Sequence, residues 1–540
     1  MAVFQTRLNA DSEAFQANRK DILALVDELR EVESRAASLS ERRRPRFDER
    51  GQLTPRDRLA HLLDPGMPFL ELYNLANFLV DDPDRETSVP GASSIVGIGF
   101  VSGVRCLIWV DDSGISAGAM KKKSIDKALG ALEVALRQKL PFIHLVESAG
   151  ANLMDYEVEL WAFGGGMFSG LAKLSAAGIP TVTVLHGPST AGGAYQPGMS
   201  DYVIGVKKNG MAALAGAALV YAATGEKADD QELGGAQMHA TVTGLVEYLA
   251  EDDVEGIQMA RDLMARLDWN RSCDVPVPAT FGEPSLDPES IAGVVPVDYK
   301  KPYDVRELVA RLVDDSDFVD FKPGFGPATV CVQARIFGQA CGIIGNNGPI
   351  DPNGAAKATH FFQLCDQSDM PIVFLSNTTG YMVGTEYERA GMIKLGAKMI
   401  QAVTNVRVPK ITLYIGASFG AGNYGMAGYA YGAEFLFAWP NAVTGVMGGE
   451  QAAGTMDLVQ RLSAERRGLE VDEERLDKQR EAIVSLFDKQ SDAFYTSGRM
   501  LDQGVIDPRD TRRVLGFALE TVREGRGRKL RPNSFGVARI

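Results

Sequence analysis

Apolar positions change spacing several times along the chain, and each change marks an element. Phe15, Ile22, Leu23, Leu25, Val26 and Leu29 recur at helical intervals among charges, which predicts an amphipathic helix over residues 13–45. After the basic run Arg42 to Arg46 and Gly51, the segment Thr54-Pro55-Arg56-Asp57-Arg58-Leu59 reads as a helix start. Thr54 would be the N-cap and Pro55 would sit in the first turn; Pro65-Gly66 ends it. Ile95 to Phe100 and Arg105 to Val110 read as two strands turning at Ser102-Gly103. A helix follows over Ser124 to Lys139, a strand over Pro141 to Val146, a helix over Phe168 to Ala176 and a strand over Thr181 to Leu185. Strand, turn and helix repeated in this way is the rhythm of an α/β fold.

The pattern then occurs again. The run Val182 to Leu185 feeds Gly187-Pro188-Ser189-Thr190-Ala191-Gly192-Gly193-Ala194-Tyr195, and Ile411 to Ile415 feeds Gly416-Ala417-Ser418-Phe419-Gly420-Ala421-Gly422-Asn423-Tyr424. The two stretches stand 229 positions apart, with Pro180, Thr183, Gly187, Ser189, Gly193 and Tyr195 identical in the second copy. Upstream, Pro141 to Gly150 matches Pro371 to Gly380 at an offset of 230, as Lys127-Ala128 matches Lys357-Ala358. A repeat of this length predicts two copies of a whole domain. Asp268 to Pro302 is rich in proline and reads as the linker, so the domains are expected at 1–275 and 285–540. One departure from the repeat is Ala464 to Gln490, a charged helical insertion, of a kind that serves surfaces or partner contacts.

Composition narrows the chemistry. The net charge of −14 argues against a nucleic-acid-binding surface; Lys121-Lys122-Lys123 and Lys207-Lys208 read as solvated surface, or as parts of a local basic groove. Five cysteines without a Cys-x-x-Cys pair fit a reducing compartment, and so a cytoplasmic protein. No signal-peptide pattern occurs in Met1 to Lys20, and the longest nearly apolar tract, Ala212 to Ala223, is too short to span a bilayer. The histidines show no metal-ligand spacing, and His144 and His186 lie in strand-like runs as core residues. No nucleophile elbow or complete phosphate-binding loop is present.

A Gly-rich turn after a strand brings backbone N–H groups close to a ligand, and a helix behind it favours negative charge. Such a turn can hold an oxyanion without a side-chain donor. Two matched turns, each followed by tyrosine, imply two oxyanions or polarised carbonyls in one reaction. No general base is evident, which suits an enolate reaction whose base comes from substrate or cofactor.

Several motifs carry a resemblance. They are Ser148-Ala149-Gly150-Ala151-Asn152, Thr190-Ala191-Gly192-Gly193-Ala194-Tyr195, Gly234-Gly235-Ala236, Gly380-Tyr381-Met382-Val383-Gly384, Gly420-Ala421-Gly422-Asn423-Tyr424-Gly425-Met426 and Val446-Met447-Gly448-Gly449-Glu450-Gln451-Ala452-Ala453. From about Asn18 to Ile540 the chain resembles the carboxyltransferase (β) subunits of biotin-dependent acyl-CoA carboxylases, in the crotonase superfamily. The last three motifs and the ending Phe535-Gly536-Val537-Ala538-Arg539-Ile540 resemble the methylcrotonyl-CoA/geranyl-CoA branch. The resemblance implies two crotonase-like (ββα spiral) domains behind a helical N-terminal extension. It implies that Gly192 and Gly193 stabilise the acyl-CoA enolate, with Ser148, Ala149, Gly150, Ala151 and Tyr195 around the substrate. It implies that Ala421 and Gly422 hold the biotin ureido carbonyl, with Gly380, Tyr381, Gly420, Asn423 and Tyr424 around it. It further implies a β hexamer, sites that pair the N-domain of one copy with the C-domain of another, and biotin carried on partner α subunits.

Two features depart from the family pattern. Ala149 stands where the family has glycine, adding a methyl group near the acyl site. The loop Leu153 to Phe163 is short and leads into Gly164-Gly165-Gly166 and Ser169-Gly170, which either leave room for a longer acyl chain or only shape a loop. Ala119-Met120-Lys121 echoes a biotin-attachment motif but lacks its following methionine, and biotin is expected on the partner. A short-chain acyl-CoA carboxylase, a biotin-dependent decarboxylase or transcarboxylase, and a non-catalytic subunit of a mixed hexamer remain as alternatives.

Overall fold

The computed structural model describes residues 4–150, 157–274 and 280–533. Helix α1 (Glu13–Glu41) opens the chain, followed by α2 (Arg44–Arg50) and α3 (Pro55–Leu62). The Thr54 side chain accepts from the Asp57 N–H and Pro55 takes the first turn of α3, as the local sequence dictates. The first half also carries α4 (Lys122–Gln138) and α5 (Val158–Ala177).

Among the described residues the first half has strands β1 (Leu70–Leu72), β2 (Ser94–Val101), β3 (Val104–Asp111), β4 (Phe142–Ser148), β5 (Thr181–Thr190), β6 (Tyr202–Val206), β7 (Met211–Ala213) and β8 (Tyr248–Ala250). They pair in the order β1-β2-β3-β4-β5-β6-β8, with β7 beside the end of β5. The pairs among β1, β2 and β3 are antiparallel and those from β3 onward are parallel. The second half repeats the scheme with β9 (Phe318–Asp320), β10 (Thr329–Ile336), β11 (Gln339–Asn346), β12 (Ile372–Thr378), β13 (Lys410–Phe419), β14 (Phe435–Ala438) and β15 (Val443–Gly445). Its order is β14-β13-β12-β11-β10-β9, with β15 beside the end of β13. The chain is therefore α/β, with two similar mixed sheets and a long N-terminal helix.

Each sheet has its own core. Ile108, Val110, Ile143, Leu145, Val182 and Val184 lead the first; Phe361, Phe362, Ile372, Phe374 and Met399 lead the second. The repeated lysine is buried in both. Lys127 donates to the carbonyls of Gly91 (3.1 Å) and Ser94 (2.7 Å), and Lys357 to that of Lys322 (3.2 Å). Burial pulls the Lys127 ammonium down to about 8, and it lowers Lys357 as well.

Compactness divides the chain into two units. One comprises Met1–Leu29, Val277–Ser497 and Leu501–Glu520; the other comprises Arg30–Pro276, Gly498–Met500 and Thr521–Ile540. The charged insertion is two helices, Gly449–Arg467 and Glu473–Ser491, not one run. Gly468 turns left-handed (φ 64°) and Asp472 caps the second helix.

Candidate active site

The two Gly-rich turns sit at equivalent ends of β5 and β13. Each strand runs further than its apolar run suggests, to Thr190 and Phe419. Each then turns at a left-handed residue: Ala191 (φ 53°) in one copy and Gly420 (φ 54°) in the other. Alanine in that region is strained by about 1–2 kcal/mol. The helical segments that follow, Tyr195–Gly198 and Gly420–Gly425, are too short for the dipole expected from sequence. What the turns offer is their own backbone N–H groups.

In the first turn Gly193 is buried and Gly192 exposed. A Cβ on Gly193 would lie 3.1 Å from Ser189 Oγ, a buried hydroxyl without a hydrogen-bond partner among the described residues. The neighbouring segment is tied down by its own atoms. The Ser148 hydroxyl donates to the Gly118 carbonyl (2.7 Å) and accepts from the Gly150 N–H (3.1 Å). Ala149 N–H donates to the Ala117 carbonyl, and Met120 N–H to that of Gly150. The Ala-Met-Lys echo thus belongs to the brace of this turn. Ala151 lies outside the described residues.

The glycine run sits differently from its expected place. Gly164, Gly165 and Gly166 lie inside α5, which starts at Val158, not in a loop before Phe168, and Ser169 and Gly170 lie in the same helix. Glycine costs about 1 kcal/mol per helix position against alanine, yet here it lets α4 approach. A Cβ on Gly166 would meet Leu129 Cδ2 at 2.8 Å, and one on Gly170 would meet Leu132 Cδ1 at 2.8 Å; Gly164 faces Ile125. Gly165 has open space around it, and Ser169 is exposed. On that open face Phe168 Cζ stands 3.8 Å from a Cβ built on Gly192, and the Phe168 ring meets Tyr195 edge-on at 5.9 Å.

In the second turn Gly422 packs on Gly380, whose φ of 122° requires glycine. Asn423 Nδ2 donates to Ser418 Oγ (2.8 Å) and to the Tyr414 hydroxyl (3.0 Å). Tyr424 is half exposed beside Tyr431, and the Tyr381 hydroxyl donates to the Gly396 carbonyl. A cavity of about 700 Å³ opens beside this turn, lined by Tyr299, Thr379, Phe419, Asn441, Val443 and Gly448 among others.

Sequence reasoning missed a buried ionic cluster beneath the first turn. Arg58, wholly buried, has Nη1 2.7 Å from Glu147 Oε2 and Nε 2.9 Å from Asp253 Oδ2. His186 Nδ1 lies 2.8 Å from Asp253 Oδ1, and Gln52 donates to the His186 carbonyl. Burial, helped by Arg58, lowers the His186 pKa and keeps the ring neutral. Burial works to raise Asp253, but His186, Arg58 and the Leu53 N–H outweigh it and hold the carboxyl well below its usual range. The only sequence signal was Glu147 standing next to Ser148. His144, as expected, is a core residue, stacked on Trp109 at 4.5 Å. Lys121, Lys123 and Lys207 each pair with a carboxylate, from Asp81, Asp126 and Glu251. Among the described residues no group of side chains could hold a metal, and no helix is long and apolar enough to cross a membrane.

Known proteins share this layout. The carboxyl transferase domain family matches residues 47–535. The chain is 44% identical, over the whole of both chains, to a probable biotin-dependent acyl-coenzyme A carboxylase beta2 subunit of Mycobacterium tuberculosis. It is 40% identical over 99% of its length, and 91% of the relative's, to the mitochondrial methylcrotonoyl-CoA carboxylase beta chain of Arabidopsis thaliana. The crystal structure of the P. aeruginosa geranyl-CoA carboxylase beta subunit matches with a TM-score of 0.92 and 47% identity, covering both chains in full. The chain belongs to the carboxyl transferase domain family, among the carboxyltransferase subunits of biotin-dependent acyl-CoA carboxylases. As a β subunit it implies an α partner.

Proposed function

We propose that this chain transfers a carboxyl group from biotin on its partner to an acyl-CoA of the 3-methylcrotonyl or geranyl type. The observation that carries this is the matched pair of left-handed turns ending β5 and β13. Their N–H groups are the preorganised donors that such chemistry needs. In the first half, Gly192 and Gly193 hold the thioester oxygen as its neighbouring carbon system loses a proton and gains the carboxyl group. Ser148, Ala149, Gly150, Ala151 and Tyr195 shape the space around it. In the second half, the cavity beside Gly420 pairs the rings of Tyr299 and Phe419 with the polar Thr379 and Asn441, which suits a small fused ring bearing a urea. Biotin, when bound, supplies both the carboxyl group and the base. Ala421 and Gly422 hold its carbonyl oxygen there. Gly380, Gly420, Asn423 and Tyr424 keep the turn in shape, and Tyr381 supports it from beneath Gly425. The domains of this activity are 1–275 and 285–540, the assembly is a β hexamer carrying biotinylated α subunits, and the location is the cytoplasm.

The open face of α5 supports an extended acyl group, since Gly165 and Ser169 leave space in front of Phe168. The test is carboxylation by the chain with its biotinylated α partner, across acetyl-, propionyl-, 3-methylcrotonyl- and geranyl-CoA. Turnover of the last two is expected. Turnover of the first two alone would assign a short-chain carboxylase, and none with a competent partner would overturn the reading in favour of a structural subunit. The Gly165→Leu variant should lower kcat/KM for geranyl-CoA by about tenfold or more, and change 3-methylcrotonyl-CoA less than about threefold. Equal losses on both substrates would remove the α5 face from the acyl site.

A further inference from the structure

Both sheets break register at the same place. Val146 pairs with Leu185 and Ser148 with Ser189, so Glu147 alone faces His186, Gly187 and Pro188. In the second sheet Ser376 pairs with Tyr414 and Thr378 with Ser418, so Asn377 alone faces Ile415, Gly416 and Ala417. The surroundings match closely. The Glu147 N–H donates to Asp111 Oδ2 and the Asn377 N–H to Asn346 Oδ1, each at 3.2 Å. Each side chain also fills the space left by a glycine. A Cβ on Gly187 would lie 2.4 Å from Glu147 Cγ, and one on Gly416 would lie 2.5 Å from Asn377 Oδ1.

The chemistry differs for an identifiable reason. In the second bulge the Ala417 N–H donates to Asn377 Oδ1 at 2.9 Å, so the amide closes the bulge by itself. In the first, position 188 is proline and has no N–H to give. An amide of asparagine length would find no such donor there. Glu147 reaches past the backbone to Arg58 instead, and Arg58 is anchored in turn on Asp253.

We propose that Glu147 is a positioning residue for the first turn: clamped by Arg58, it holds open the bulge through which β5 aims Gly192 and Gly193. Bulges beside active sites re-aim the chain that follows them, and Gly192 comes five residues after Gly187. Oxyanion donors act only within a few tenths of an ångström of their position. Loosening the clamp therefore weakens the transition state more than it weakens acyl-CoA binding. This inference rests on the carboxylase reading above.

The experiment compares the wild-type chain with Glu147→Gln, Glu147→Asn, and Glu147→Asn combined with Pro188→Ala, each assembled with the α partner. Wild-type turnover tests the carboxylase reading; only ratios between variants bear on the clamp. Glu147→Gln keeps the side-chain shape and loses the charge. It should lower kcat by about tenfold or more with KM for acyl-CoA within about threefold, the signature of an interaction made in the transition state. Glu147→Asn should fall at least as far. The double variant restores the donor that the second bulge uses, and it should regain at least about threefold of the lost kcat over Glu147→Asn. Acyl-CoA binding to the isolated chain gives the folded fraction for scaling each rate. The proposal is overturned if Glu147→Gln keeps kcat within about twofold of wild type, or if its loss is matched by the loss of binding-competent protein. It is also overturned if the double variant shows no recovery.

Discussion

A Gly422→Ala chain should lose kcat for carboxylation by about 10²–10³-fold, the cost typical of losing one oxyanion donor. The added Cβ would lie 2.7 Å from Gly380 Cα, 3.1 Å from Thr378 Cγ2 and 3.2 Å from the Gly380 carbonyl carbon. The closest of these atoms is backbone, so no rotamer change clears it. Gly380 cannot yield easily either, because its φ of 122° is fixed by the Ile350 bridge to Tyr381 and by the Ile350 N–H bond to the Gly380 carbonyl. The turn itself must move away, taking its N–H groups with it. Overpacking of this kind costs about 1–3 kcal/mol of stability, which leaves the protein folded. Steady-state kinetics should then show KM for acyl-CoA within about threefold, because the proposed site of the thioester is the other turn. A kcat within about threefold of wild type would mean that these N–H groups do not take part.

Arg58→Met should give the largest loss of stability, about 3–5 kcal/mol, because removing one partner of a buried ion pair leaves uncompensated charge. Here two carboxylates, Glu147 and Asp253, lose the same cation. The pH dependence carries a sign. In the wild type the Asp253 carboxyl is held below its ordinary range, so its contribution is present above the unfolded value and is lost as pH falls. His186 is also lowered, so acid first protonates the unfolded chain and destabilises the fold below about pH 6.5. Both effects make the wild type less stable in acid. In the variant Asp253 has lost the part of this stabilisation that Arg58 supplies, so less remains to be lost in acid. The melting-temperature gap between the two chains should therefore narrow from pH 7 to pH 5. A gap that widens would show that the cluster is held by something other than the Arg58 charge.

The sequence displayed the duplication because the residues that build the turns are few and position-specific. Pro180, Thr183, Gly187, Ser189 and Gly193 all recur at one offset. Helices and strands with ordinary patterning, such as the capped α3 and the β2–β3 hairpin, were equally legible. What stayed hidden depends on tertiary contact. Gly164, Gly165 and Gly166 made the start of α5 look like a loop, yet Leu129 and Leu132 of α4 fill the space that Gly166 and Gly170 leave, so packing overrides propensity. Gly187-Pro188 looked like the end of a strand, but β5 continues past it as a bulge. Gly187 is small for the sake of Glu147, a residue forty positions away. Arg58, Glu147, His186 and Asp253 come from four separate segments, and no local pattern announces that they meet.

The matched lysines have a practical consequence. Lys127 and Lys357 have no exposed surface, and each ammonium is held by carbonyls of its own half. An amine-modifying reagent reaches either one only when the surrounding helix and sheet come apart. Peptide mapping after brief labelling would then count openings of the first half at Lys127 and of the second half at Lys357, one residue reporting on each.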